Sequence, residues 1–115
     1  MVVLVIGAGK TGAEVLRQLH KNPGITVRTL DPRECPFAVE EGIIDSVDYR
    51  EVLTPFSLEF VLEQARPDLV LLASATEDLG LGAAPGMDVF AGALREELAS
   101  LAKVPVIDVS HAAKR

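Results

Sequence analysis

The chain has 115 residues, of which 49% are apolar and only 4% aromatic, and its net charge is −6. This length suits one domain with an aliphatic core and is too short for a cofactor domain plus a substrate domain. The acidic balance disfavours nucleic acid or an anionic membrane surface as a partner.

The sequence also predicts a cytoplasmic location. No apolar run reaches the roughly 18 residues of a membrane span, and the N-terminus lacks the charged start and cleavage site of a signal peptide. The one cysteine, Cys35, excludes an internal disulfide and is predicted to be a small hydrophobe, buried or half-buried.

Residues 2–6 form a continuous apolar run, which predicts a strand buried on both faces, and a G-x-G-x-x-G spacing follows it directly. Gly7 permits the tight turn, Gly9 lets backbone approach a pyrophosphate, and Gly12 lets the next helix pack closely. Phosphates would then meet the amide groups and positive dipole end of that helix. Another Rossmann-type ligand, or a turn with no ligand, stays possible from this motif alone. A Walker phosphate loop is rejected, because it needs a glycine where Leu4 stands.

A second strand is predicted over 26–30, and it ends in Asp31, 19 residues after Gly12. A carboxylate at this strand tip can accept hydrogen bonds from an adenosine ribose. Asp31 could instead cap the turn before Pro32.

The rest of the chain alternates helices and strands. Helices are predicted over 11–22, 35–41, 57–65 and 88–103, strands over 43–48, 69–73 and 104–109, and a mobile Gly/Pro-rich loop over 77–86. This alternation predicts an α/β fold: a doubly wound parallel sheet of about five strands in the order 3-2-1-4-5, with helices on both faces. Residues 1–110 form the domain and 111–115 a C-terminal tail. The ligand is expected beyond the carboxyl ends of the strands, where the strand order reverses.

With these motifs in place, the chain resembles the NAD(P)-binding Rossmann superfamily. It looks most like the RCK or KTN (TrkA N-terminal) regulatory domains of potassium channels and transporters, and second most like the N-terminal domains of saccharopine-dehydrogenase-like proteins. The resemblance rests on residues 5–12, 30–31, 48 and 71–78.

The resemblance implies a set of cofactor-binding residues. Those proposed for the pyrophosphate are Gly7, Ala8, Gly9, Lys10, Thr11 and Gly12; for the adenosine side, Asp31, Pro32, Arg33 and Asp48; and for the second ribose or nicotinamide, Ala73, Ser74, Ala75 and Thr76. Simpler roles compete with these: Lys10 could point to solvent, Asp48 could be a solvated turn residue, and Ser74 and Thr76 could cap a turn or helix.

The choice of cofactor depends on Asp31 and Arg33. A carboxylate favours the free 2′-hydroxyl of NAD(H), whereas an arginine could pair with the 2′-phosphate of NADP(H). The sequence favours NAD(H), with Arg33 expected to lie in solvent.

No catalytic or metal-binding constellation is apparent. His20 is predicted at the surface, His111 lies in the tail, and neither has ligand spacing to the other or to Cys35. Asp108 and Ser110 could reach the crevice, although capping suits them better. Two functions therefore remain: a nucleotide-sensing or regulatory module, or the cofactor domain of an NAD(P)-dependent oxidoreductase whose substrate domain lies elsewhere. An open sheet edge also predicts a homo-oligomer, and a larger transporter or enzyme could be a partner.

Overall fold

A computed structural model describes residues 1–73 and 85–109, which contain four strands and four helices, with at least one helix between each strand and the next. In chain order they are β1 (Val2–Ile6), α1 (Lys10–Leu19), β2 (Thr26–Leu30), α2 (Phe37–Glu40), α3 (Pro55–Ala65), β3 (Leu69–Leu72), α4 (Met87–Leu101) and β4 (Val106–Asp108).

The four described strands form one parallel sheet in the order β2-β1-β3-β4. Val3 of β1 lies between Val27 of β2 and Leu69 of β3, and Val70 pairs with Val106 of β4. The order reverses between β1 and β3, because the chain leaves β1 toward β2 and returns on the other side. The predicted parallel α/β fold is therefore confirmed, and its switch point lies at the end of β1.

Apolar side chains alternate along the strands and build a core on each face of the sheet. Leu4 and Ile6 point to the face covered by α3 and α4, whereas Val3 and Val5 point to the face covered by α1 and α2. Leu4 and Val5 have no exposed surface. Helices on both faces leave β1 completely enclosed, which explains its uninterrupted apolar sequence.

The predicted strand over 43–48 is wrong. The amide groups of Ile43 and Ile44 both donate to the carbonyl of Ala38, at 2.9 and 3.3 Å, so this segment turns back on α2 instead of extending along β2. Only an isolated bridge between Leu30 and Tyr49 remains beside β2. The described sheet consequently has four strands rather than five.

Helix α3 begins at a well-formed cap. Thr54 accepts a hydrogen bond from the Ser57 amide at 3.2 Å, while the Ser57 hydroxyl accepts one from the Thr54 amide at 2.9 Å. Pro55 occupies the first turn, where its missing N–H costs nothing. The helix ends at Arg66, whose φ of 46° is left-handed. The cap places the start of α3 at Pro55, two residues before the predicted start, whereas the end at Ala65 agrees with the prediction.

Candidate functional site

The glycine-rich turn joins the end of β1 to the start of α1. Gly7 adopts a φ of 93°, a backbone conformation that favours glycine. Gly12 lies in the first turns of α1, and a Cβ atom placed on it would stand 1.8 Å from the carbonyl oxygen of Gly7. The helix therefore approaches the strand as closely as backbone atoms allow, and no other residue type fits at position 12.

Ala8, between these glycines, is tied to the segment that follows β2. Its amide donates to the Asp31 carboxylate at 2.8 Å, and its carbonyl accepts from the Ala38 amide at 3.0 Å. The Gly7 amide also donates to the Leu30 carbonyl at 2.9 Å. These contacts hold the turn against β2 and α2. The Ala8 amide donates its hydrogen bond to Asp31 and not to a ligand.

The N-terminus of α1 begins at Gly9, whose φ of −75° and ψ of −156° are extended. Among the described residues, no side chain caps this end and no acidic residue lies in its first turn. Gly9 and Gly12 are buried, Thr11 is half-buried and Lys10 is exposed. The positive end of the helix dipole therefore has no acidic residue in its own first turn, which favours an anion there.

Asp31 and Arg33 form one hydrogen-bonded unit. The Asp31 carboxylate is completely buried; Oδ1 accepts from the Arg33 amide at 2.8 Å and from Nε at 2.9 Å, and Oδ2 accepts from an Arg33 terminal nitrogen at 2.8 Å. Together with the Ala8 amide, these donors engage both carboxylate oxygens. The expectation that Arg33 lies free in solvent is wrong, because the guanidinium pairs with this carboxylate and the side chain is only 35% exposed.

Asp48 lies at the outer edge of β2. Its carboxylate accepts hydrogen bonds from the Thr29 amide at 2.9 Å and the Thr29 hydroxyl at 3.1 Å, and the amide of Asp48 donates to that same hydroxyl at 3.0 Å. The next residue, Tyr49, donates its amide to the Thr29 carbonyl at 2.9 Å. Asp48 therefore satisfies a strand edge, which is a more specific role than a solvated turn residue.

A cleft of about 780 Å³ opens beside the glycine-rich turn. The side chain of Lys10 lies on its wall, with Nζ 6.0 Å from the centre of the Phe37 ring. The residues that line the cleft are Gly9, Lys10, Arg33, Cys35, Pro36, Phe37, Glu40 and Glu41.

Several of these residues were not predicted from the sequence. Phe37 and Glu40 belong to α2, and Pro36 and Glu41 flank it; only the position of this helix, next to Asp31, could have indicated that they line a cleft. Cys35 is exposed in the cleft, so its prediction as a buried or half-buried hydrophobe is wrong.

The remaining candidates lie on the other side of the turn or outside the described residues. Ala73 follows β3, is buried, and donates its amide to the Ile6 carbonyl at 3.0 Å. Pro32 is half-buried between Asp31 and Arg33. Asp108 lies 3.5 Å from Arg95, in an ion pair. The predictions for Ser74, Ala75, Thr76, Ser110 and His111 concern residues 74–84 and 110–115, outside the described part of the chain.

Metal-binding groups and membrane-spanning helices are both absent from the described residues. Within 1–73 and 85–109, no group of three or more His, Cys, Asp or Glu side chains could hold a metal ion. None of the helices in these ranges is long and apolar enough to cross a membrane. His20 is exposed, as predicted.

Comparisons with known proteins identify the fold. No protein-family model matches the chain, and no curated protein matches it significantly. Among solved structures it is similar to UDP-glucose 4-epimerase from the hyperthermophilic eubacterium Thermotoga maritima, determined with UDP-glucose. The two share 24% identity with a TM-score of 0.51, and the match covers 63% of this chain but only 23% of the epimerase chain. This similarity supports a Rossmann-type fold, without pointing to RCK or saccharopine-dehydrogenase-like proteins in particular.

Proposed function

We propose that the chain is a dinucleotide-binding Rossmann domain that holds a pyrophosphate at the N-terminus of α1, over Gly9, Lys10 and Thr11. The observation that carries this proposal is the contact between Gly12 and Gly7, where a Cβ would meet a backbone oxygen at 1.8 Å. Such close packing is the reason for the third glycine of the dinucleotide motif. It aligns the start of α1 with the adjoining cleft, so that backbone and dipole both favour an anion there.

The cleft beside this turn suits the adenosine half of the ligand. Phe37 offers a ring and Arg33 a planar guanidinium, and both can pack against a purine base. Lys10 supplies a positive charge at the entrance. Ala73 follows β3, and we assign it, together with Ser74, Ala75 and Thr76 next in the sequence, to the second ribose and the nicotinamide. The position of Asp48 near adenine stays a prediction.

We further propose that NAD(H) binds more tightly than NADP(H). The Asp31 carboxylate is not free to meet a ribose, because it pairs with Arg33. The charges around the cleft support the preference for NAD(H) instead, since Arg33 is already paired and Glu40 and Glu41 line the same cleft. Two cations line the cleft, but Arg33 is already paired with Asp31 and Lys10 is assigned to the pyrophosphate, so a 2′-phosphate would mainly meet the carboxylates of Glu40 and Glu41, whose repulsion weakens its binding.

The output of this binding is proposed to be regulatory. The sequence similarity of residues 5–12, 30–31, 48 and 71–78 to RCK or KTN domains supports a cytoplasmic sensor that responds to the dinucleotide with a conformational or oligomeric change, in concert with a transporter or enzyme partner. One observation favours the alternative, a cofactor domain of an oxidoreductase of the saccharopine-dehydrogenase-like kind. The matched 63% of this chain covers 23% of a solved epimerase chain, so a similar Rossmann segment also occurs inside a much longer enzyme.

The pyrophosphate site is tested by calorimetric titration of NAD, NADH, NADP and NADPH into the chain and into Gly9→Val. The φ of Gly9 puts no backbone strain on an added side chain, and circular dichroism checks that the variant folds; in the folded variant the side chain should block the phosphate approach and abolish binding. The matched control is Gly92→Val on α4, where a Cβ meets no atom within 4 Å. Full affinity in Gly9→Val would exclude the phosphate assignment, and tighter NADP(H) than NAD(H) binding would reverse the cofactor preference.

The single cysteine gives a second, independent measurement. Cys35 is exposed and lines the cleft, so a bound dinucleotide should slow its reaction with a maleimide. Reaction rates that are identical with and without saturating ligand would place the ligand elsewhere. Turnover of the reduced nicotinamide with a candidate substrate, by this chain alone, would favour the oxidoreductase over the regulatory module.

A further inference from the structure

Exposed apolar side chains are concentrated on the outer surfaces of α3 and α4. Among the described residues, seven large hydrophobic side chains are exposed, and five of them belong to these two helices and the residue group just before α3. The five are Val52 (72% exposed), Phe56 (85%), Phe60 (48%), Val89 (72%) and Phe90 (42%). We call them the α3–α4 surface.

Helix α3 is apolar on two opposite sides. Leu58 and Val61 point into the core, whereas Phe56 and Phe60, one turn apart, point outward. A surface helix of a globular protein normally has one apolar stripe, and a helix with apolar residues all round is normally covered on both sides. Val52 lies close to the first turn of α3, because its carbonyl accepts a hydrogen bond from the Ser57 hydroxyl there.

Phe90 continues the stripe onto α4. Arg95 pairs with Asp108 on β4, so the flank of α4 that carries Arg95 faces the β4 edge. Residue 90 lies about 140° around the helix from residue 95, on the opposite flank. Leu62 and Leu101 line one cleft, which shows that the two helices run side by side there. Phe90 therefore lies on the flank toward α3.

We propose that the α3–α4 surface is an interface between two copies of this chain. At roughly 200 Å² for a fully exposed aromatic side chain, the exposed parts of the three phenylalanines amount to about 350 Å², and the two valines raise the patch to roughly 500 Å². A two-fold dimer applies the same patch twice and buries up to about 1,000 Å² of apolar surface before its polar rim is counted, which is about the minimum area of a biological interface. A patch this large on a monomer is usually functional.

The second copy fits the geometry as well as the area. Two antiparallel α3 helices related by a two-fold axis bring Phe56 of each copy against Phe60 of the other, because both lie on one stripe. The rim of this interface is acidic: Glu59 and Glu63 are exposed on α3, and Glu96 and Glu97 on α4. Like charges then approach one another around an apolar centre, so salt should strengthen this dimer by screening their repulsion.

Sedimentation velocity over a concentration series tests the interface. The unmodified chain should show a monomer–dimer equilibrium that shifts toward dimer as sodium chloride rises from about 0.05 to 0.5 M, where the Debye length falls below about 5 Å. Phe56→Glu adds a charge at the centre and should weaken dimerisation at least about tenfold, with an unchanged circular dichroism spectrum because the residue is 85% exposed.

The matched control is Ile107→Glu on β4, which is 49% exposed and lies outside the α3–α4 surface. It should dimerise as the unmodified chain does. A strictly monomeric unmodified chain at high concentration would overturn the proposal, as would undiminished dimerisation of Phe56→Glu. Loss of the dimer in Ile107→Glu alone would assign assembly to the β4 edge instead. Because neither residue lines the cleft beside the glycine-rich turn, dinucleotide affinity serves as a separate measurement, and loss of one property does not imply loss of the other.

Discussion

Two helical glycines should respond to the same substitution with opposite signs. Alanine is favoured over glycine in a helix interior by about 1 kcal/mol, so propensity alone predicts that both Gly12→Ala and Gly92→Ala stabilise the protein. At Gly92 a Cβ meets no atom within 4 Å, and the gain should appear, at about 0.5–1 kcal/mol. At Gly12 the Cβ would lie 1.8 Å from the oxygen and 2.8 Å from the carbon of the Gly7 carbonyl.

That overlap sets the magnitude. Both atoms belong to backbone that is held in the turn, so the contact cannot be relieved by a side-chain rotation, and α1 or the turn must move by more than about 1 Å. Overpacking of this kind costs about 1–3 kcal/mol or more, which exceeds the propensity gain. We expect Gly12→Ala to lower the free energy of unfolding by about 2–3 kcal/mol.

Urea denaturation followed by circular dichroism measures both variants against the unmodified chain. The two changes in unfolding free energy should differ by about 3 kcal/mol, because their signs are opposite. A neutral or stabilised Gly12→Ala would refute the close approach of α1 to the turn, and with it the geometric basis of the proposed phosphate site. A destabilised Gly92→Ala would contradict the open space that a Cβ atom has at this position on α4.

Two further pairs of variants test the contacts around β2. Arg33→Met leaves a fully buried carboxylate without its counter-ion and should cost about 2–3 kcal/mol of unfolding free energy, whereas Arg50→Met removes an exposed ion pair and should cost less than about 0.5 kcal/mol. Equal losses in urea denaturation would contradict the buried pairing. Asp48→Ala removes the acceptor for an edge amide and a hydroxyl of β2 and should cost about 1–2 kcal/mol, while Asp45→Ala, at an exposed turn, should change the midpoint little. If Asp45→Ala is the more damaging of the two, the edge contact does not stabilise the sheet.

Much of the fold was predictable because periodicity reports burial. The apolar run 2–6, the strand 26–30 and the apolar run from Leu69 match β1, β2 and β3 within one residue, and the helices match within three residues at each end. The strand predicted over residues 43–48 is absent for a local reason. Ile43 and Ile44 favour a strand by their branched side chains, but their amides bond to Ala38, and no pattern of side chains reports where a backbone donor points.

The positions of the residues proposed for the site were predictable from the sequence, whereas their hydrogen bonds and ion pairs were less so. Spacing alone located Gly7, Gly9, Gly12 and Asp31 around one turn. It predicted that either Asp31 or Arg33 contacts the adenosine ribose and so decides between NAD(H) and NADP(H), because two residues this close at a strand end can reach the same ligand group. Their mutual pairing depends on the direction of the chain after Pro32 and on complete burial of the carboxylate, which are tertiary properties. The cleft wall around Phe37 depends on the packing of α2 and could not be read from a motif.

The double attachment of Ala8 has a consequence for motion. Its amide donates to the Asp31 side chain and its carbonyl accepts from the Ala38 backbone, so the glycine-rich turn and the chain after β2 are coupled at two points, one on each side of the Ala8 α-carbon. A displacement of the turn by an arriving anion cannot stay local, because it pulls on the start of α2 and on the carboxylate that holds Arg33. The turn therefore links the proposed anion position mechanically to the start of α2 and to Arg33, and amide exchange at positions 8 and 38 should proceed through a shared opening event.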